Sequence, residues 1–392
     1  MATKKGIWNL QQTRDKQLQS LWDYFDVSVG NGQLFTWGAN ERGTLGLNDR
    51  TYRSSPTQIF GGGNTWSVLL KGGHTNNGVG AIKSDGTLWQ WGRNDQGQLG
   101  QNQSGNADYS SPVQVGGNTW KNGATSRDST LVTKTDGTLW AWGAASAGVL
   151  GQNNNTSYSS PVQIPGTIWD EVFAGYETAA AVKTNNQLWM WGNNDRGQTG
   201  QNDRTNYSSP KQVSGSWTAG NNTSQQGMAS RFIKTDGTLW SWGYNNGGGL
   251  GLNNITQYSS PVQVGSDTNW STVGGSSYNG VGTKTDGTLW TWGTNNKGIL
   301  GQNQPDGTLY SSPVQVPGTN WAVGVIPNNK YIFASKTDGT LWSWGYGVFG
   351  FLGNNDRINY SSPIQIPGTW SSKVNGIGGA VYNGYGIKPI DS

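Results

Sequence analysis

The chain has 392 residues, a formal net charge of +4, only 12% charged residues and no cysteine. This excludes disulfide frameworks, thiolate chemistry and Cys-ligated metals. Its Lys and Arg are spread evenly, so there is no basic stripe for nucleic acid. The hydrophobic fraction is 32%, but 22 Trp and 15 Tyr supply surface for a core.

The first residues, Met1 to Gly6, are polar and lack a secretory apolar segment. No later run reaches the roughly 18 apolar residues of a membrane span. No signal peptide and no membrane insertion are therefore expected. Residues 1–24 are rich in helix formers, with Trp8, Leu10, Leu18, Leu21 and Trp22 available for an apolar stripe. They predict a short helical arm. A helix of that length is marginal alone in water, so its apolar residues are expected to anchor on a partner.

Residues 25–392 carry one pattern seven times. Trp-Gly pairs begin at Trp37, Trp91, Trp142, Trp191, Trp242, Trp292 and Trp344, and a Ser-Ser-Pro triplet closes 19 or 21 residues after each. A period of about 50 residues with strand chemistry predicts an all-β, seven-bladed β-propeller. Within residues 270–313, Trp270 to Val273 reads as one strand and Gly282 to Lys284 opens the next. Asp286-Gly287 predicts a type I′ turn. Thr288 to Trp292 alternates as a third strand, with Trp290 and Trp292 on one face. Pro313 is expected to open a fourth, where no ladder donor is needed. Lys388 in "YNGYGIK" aligns with Lys284 in "YNGVGTK". The C-terminal strand is therefore expected to pair with Gln33 to Gly38, with Val27 to Val29 competing for the place.

The pattern "KTDGTLWSWGYNNGGGLG" resembles the regulator of chromosome condensation repeat, a family of seven-bladed propellers. The opening "GIWNLQ…RDKQL" resembles structural proteins of tailed phages, especially marine ones. Together these imply a virion protein, assembled in the host cytoplasm, whose arm binds other virion proteins and whose propeller displays a protein- or receptor-binding platform. A host-surface receptor is the implied outer partner. The alternative is a soluble bacterial protein-binding or inhibitor module of the same repeat family. Nucleotide exchange, as in the family's namesake, is disfavoured because the chain has no basic tail.

No cofactor, metal site or catalytic set is expected. The lone His74 has no nucleophile or carboxylate placed beside it by sequence. The Trp pairs are read as packing between blades, and the repeated Lys as pairing with the turn Asp. The segments after each spacer Trp differ freely between units and should crowd onto one face of the disc. Divergent loops on a rigid scaffold commonly carry binding. The candidates there are His74, Arg127, Asp128, Tyr176, Glu177, Arg231, Tyr278, Lys330 and Tyr331. A second candidate is the apolar cluster Tyr346, Val348, Phe349 and Phe351, set in an otherwise polar loop. It suits contact with another chain or with the N-terminal arm.

Overall fold

The computed structural model describes residues 32–60, 65–72, 78–105, 107–220, 222–225, 227–325, 330–373, 376–380 and 382–390. The arm residues, His74 and Val27 to Val29 lie outside them. The described chain is all-β apart from two single 3-10 turns, and its strands form antiparallel blades.

Counting units from the strand Trp66–Leu69, so that the two described ends of the chain share the seventh, unit five shows the plan. Trp270–Gly275, Asn279–Lys284, Leu289–Thr294 and Leu309–Val316 pair in sequence order. The second and third strands are joined through Asp286-Gly287, but the turn is not type I′. Only Gly287 has a positive φ, at 78°. Its N–H donates to Lys284 O, and the Lys284 N–H donates to Thr288 O, which is a type I turn followed by a left-handed glycine. The Asp286 carboxylate accepts the Thr288 N–H at 3.0 Å and its hydroxyl at 2.6 Å. These bonds hold the carboxyl below its ordinary range. Pro313 lies inside the fourth strand rather than opening it. That strand is the outer edge of its blade, so the missing N–H removes no ladder bond.

The spelling of the repeat is explained by contacts between successive units. Each Trp of a Trp-Gly pair is fully buried and donates Nε1–H to a carbonyl in the loop of the preceding unit, as Trp292 does to Gly249 O at 2.8 Å. The equivalent bonds run from Trp37 to Phe351, Trp91 to Thr44, Trp142 to Gln98, Trp191 to Val149, Trp242 to Gln198 and Trp344 to Ile299. The loop glycine comes so close that a Cβ on Gly251 would lie 3.0 Å from the Trp292 ring. Nearby, the Asn253 N–H donates to Ser311 O, the first Ser of the next Ser-Ser-Pro, at 2.7 Å. Asn355 makes the same bond to Ser54 at 2.8 Å, joining the two ends of the chain.

The described ends also meet in one sheet. Gly32–Gly38 pairs with Asn383–Pro389, with Gln33 opposite Lys388, and it also pairs with Arg53–Gln58. Ile377–Ala380 pairs with the other side of Asn383–Pro389. Lys388 lies over Phe35 and Trp370 at 4.4 and 4.6 Å.

That stacking corrects the expectation for the repeated Lys. Lys83, Lys134, Lys183, Lys234, Lys284 and Lys336 each sit over a spacer Trp and over the first Trp of Trp-x-Trp. The turn Asp is already taken up by its Thr, so the ammonium turns to the ring faces. Lys284 additionally meets Asp267 at 2.8 Å. The Trp pair is therefore split in role. Trp292 is buried between units, whereas Trp290 is half-buried beneath Lys284 and donates to Thr288 Oγ1 at 2.8 Å.

Candidate binding face

Because the strands of a unit are antiparallel, their connections alternate between two faces. The Asp-Gly turns lie on one face. The turns between first and second strands, and the loops between third and fourth, lie on the other. An Asn braces most of those longer loops. Asn245 Oδ1 accepts the Leu250 N–H, and its Nδ2 donates to Asn254 O. Asn194 does the same with Thr199 and Asp203, so "NDRGQTGQND" is a braced loop. Units two and six have Ala145 and Gly347 at that position, and there the loop forms a 3-10 turn with a non-glycine residue at positive φ. In unit six this residue is Phe349, with φ at 66°.

The centre of the disc is occupied. Lys71 and Glu171, both buried, form an ion pair at 2.6 Å, and Lys71 Nζ lies 4.5 Å from the Phe173 ring. First strands of neighbouring units also pair in parallel there, Lys71–Gly72 with Ala124 and Thr125, and Asn222–Gln225 with Val273 to Gly275.

Six of the residues singled out on the loop face do lie in its turns, but they divide into two groups. Arg127, Asp128, Tyr176 and Glu177 form a closed network. Arg127 reaches Asp128 at 3.2 Å and Glu177 at 3.9 Å, and its guanidinium lies 4.8 Å from the Tyr176 ring. Arg93 also pairs with Asp128, at 3.4 Å, and with Asp95. Burial raises the Asp128 carboxyl, against the pull of the two guanidinium groups. Tyr278 and Lys330 belong to a second region described below.

Two candidates are not on the face. Arg231 is 0% exposed, on the strand Ala229–Ile233, where it donates to Gly249 O and Ser276 O at 2.6 to 2.9 Å. Burial pushes its guanidinium down to about 9. Variability had marked the position, but its strand alternation points it between units four and five. Tyr331 is also buried, and its hydroxyl donates to Asn383 O at 3.1 Å.

The apolar cluster likewise separates. Phe351 is buried and Val348 and Tyr346 are half-buried, because this loop turns its side chains against the next unit. Phe349 alone of the four is exposed, at 45%. It meets Tyr52 edge-on at 5.8 Å. These rings, with Lys330, Glu41 and Tyr382, line a groove of about 290 Å³ where units six and seven meet. The Tyr52 hydroxyl donates to Glu41 at 2.5 Å. Lys330 Nζ lies 4.7 Å from the Tyr382 ring and 5.5 Å from Tyr346. On its other side Lys330 borders a second basin of about 470 Å³, walled by Tyr278, Asn246, Asn279, Thr294 and Asn296. Tyr52, Glu41 and Tyr382 were missed from sequence. The alignment of "YNGYGIK" with "YNGVGTK" could have found Tyr382, which stands where unit five has Tyr278.

Blades joined by repeated Trp and Ser contacts, with variable loops on one face, define the propeller class. The chain belongs to the RCC1-like domain family, whose model matches residues 33–382. It is 29% identical over 128 residues to the zebrafish (Danio rerio) Protein RCC2 homolog, a match covering 32% of this chain and 26% of that protein. The chain thus spans about a quarter of the length of the curated relative it matches. Human WBSCR16 superposes with a TM-score of 0.76 at 18% identity, over 91% of this chain and 98% of that one. Prp20p from Saccharomyces cerevisiae superposes with a TM-score of 0.78 at 17% identity, over 93% of each chain. At these identities the likeness is one of fold.

Proposed function

We propose that residues 25–392 close a single seven-bladed ring that does no chemistry and serves as a binding platform. Residues 1–24 carry it as an attachment arm. On this reading the chain is a phage virion protein of a tail or appendage. The arm joins other virion proteins through Trp8, Leu10, Leu18, Leu21 and Trp22, and the loop face meets a host receptor or decorates the particle.

One observation carries the arrangement. The chain enters the described fold at Gly32, at the Asp-Gly end of the strand Gly32–Gly38. The grooved face lies at the opposite end, about 20 Å away at roughly 3.3 Å per strand residue. The point where the chain enters the described fold is thus kept apart from the grooved face. The change of composition near residue 25 supports the separate arm.

Co-sedimentation with particles lacking this component tests the reading. The full chain should be incorporated, and a chain without residues 1–24 should remain a folded disc in the supernatant. Equal incorporation of both would favour the second reading, a free-standing protein-binding module. That reading is supported by the description of Prp20p through its binding to Gsp1p and histones.

A further inference from the structure

The two basins lie side by side with Lys330 between them, and together they make a trough across units five, six and seven that is divided by that side chain. Its lining is nearly uncharged. It carries one acid, Glu41, and one base, Lys330, and is otherwise amide, hydroxyl and aromatic. The charges balance, which gives a polyanion or a polycation no net attraction. An exposed ring stands in each basin, Phe349 at 45% and Tyr278 at 40% exposure. Both rings are buttressed edge-on, Phe349 by Tyr52 at 5.8 Å and Tyr278 by Tyr244 at 5.6 Å, so they are held rather than free to fold away. Between them Asn246, Asn296, Glu41 and Lys330 supply both donors and acceptors. The basin volumes are those of small-ligand sites rather than of a flat protein interface.

We propose that this trough binds a neutral oligosaccharide, with a sugar ring stacked on Phe349, another on Tyr278, and hydroxyls bonded to the amides and to Glu41 and Lys330. The proposal rests on reading the loop face as the recognition face and names its ligand. A sugar has what the lining asks for: an apolar C–H face for each ring, and many hydroxyls that donate and accept without charge. Phe349 adds a second argument. A phenylalanine at φ 66° occupies a conformation that disfavours side chains, in a loop that lacks its bracing Asn. Ala147 and Lys297 take a similar φ at the equivalent position, and of the three only Phe349 places a ring there.

The test uses the full-length protein and titration calorimetry with maltotetraose, cellotetraose, mannotetraose and tetra-N-acetylchitotetraose, and with tetragalacturonate as the anionic counterpart. At least one neutral tetrasaccharide should bind saturably. Phe349→Gly and Tyr278→Ala should each weaken it tenfold or more, while Arg127→Ala on the opposite side leaves it unchanged. Thermal melts identify any variant that has lost its fold, and Phe349→Tyr, which keeps the ring, should retain binding. The proposal is overturned if no neutral probe binds at millimolar concentration, if tetragalacturonate binds more tightly than all of them, or if both ring deletions keep full affinity. Particle incorporation of the same variants separates this from the arm. A trough that binds no sugar in a protein still incorporated through residues 1–24 removes the ligand and leaves the platform.

Discussion

The two halves of the loop face solve opposite problems. On the side of units one to three, Arg93, Asp95, Arg127, Asp128 and Glu177 pair their charges with one another. On the side of units five to seven, Glu41 and Lys330 lie among amides and exposed rings around a concave trough. Read as a sequence, the first half looks richer in functional groups. Folded, its charges are already paired with one another in a half-buried network. On the proposed reading, recognition rests instead with Tyr278, Lys330 and Phe349, joined by Tyr52, Glu41 and Tyr382, which draw no notice in the sequence.

The largest way to break this contrast is at the seam, which supplies one wall of the trough. Deleting residues 380–392 removes Tyr382 and the strand Asn383–Pro389, leaving Gly32–Gly38 without that partner. A loss on the order of several kcal/mol is expected, measured by denaturant unfolding, because a strand edge is exposed and the ends of the chain part. Melting at the wild-type temperature would refute the closed ring.

The next effect separates the two Trp of the repeat. Trp292→Ala should cost about 3–5 kcal/mol, since a buried ring and a hydrogen bond are lost together. Trp290→Ala, at a half-buried ring, should cost about 1–2 kcal/mol. Equal losses in chemical denaturation would show that stacking on Lys284 matters as much as burial.

Smaller effects sharpen the comparison of the two halves. Arg127→Ala should change stability by less than about 1 kcal/mol. Phe349→Gly should also stay within about 1 kcal/mol of wild type, because the lost ring contacts are offset by relief at a positive φ. The smallest effect is one of pH. The hydrogen bond to Glu41, with burial second, pushes the Tyr52 hydroxyl up to about 12. A raised acid favours the protonated form in the folded state. Its contribution is therefore complete below pH 10 and is lost as pH rises from about 10 to 12. Tyr207, Tyr244, Tyr360 and Tyr385 are raised as well, so the test is a difference: in ultraviolet titration Glu41→Gln should show one late-ionising tyrosine fewer than the wild type.

The repeat made the unit legible because its signature residues touch either their own unit or the next one. Trp292 with Gly249, Asn253 with Ser311, and Asp286 with Thr288 recur wherever the spelling recurs. A sequence that writes the same interface many times thereby states its class of fold and the spacing of its strands. It also placed Tyr278, Lys330 and Phe349 in loops of one face. It did not distinguish them from Arg231, Tyr331 or Phe351, which vary as freely between units yet are buried.

What tertiary structure alone decided was direction and company. Whether the repeated Lys meets an Asp or a pair of rings depends on which acceptors the Asp already has, and Thr288 had taken it. Whether Arg127 is available depends on Glu177 in the next unit. The trough is assembled from Tyr52 near one end of the chain, Tyr382 near the other, and Tyr278, Lys330 and Phe349 between. Periodicity fixes the environment that equivalent positions share. A site is made where positions depart from the repeat, and the neighbours of those departures come from separate units, so only the closed arrangement of the blades sets which of them meet.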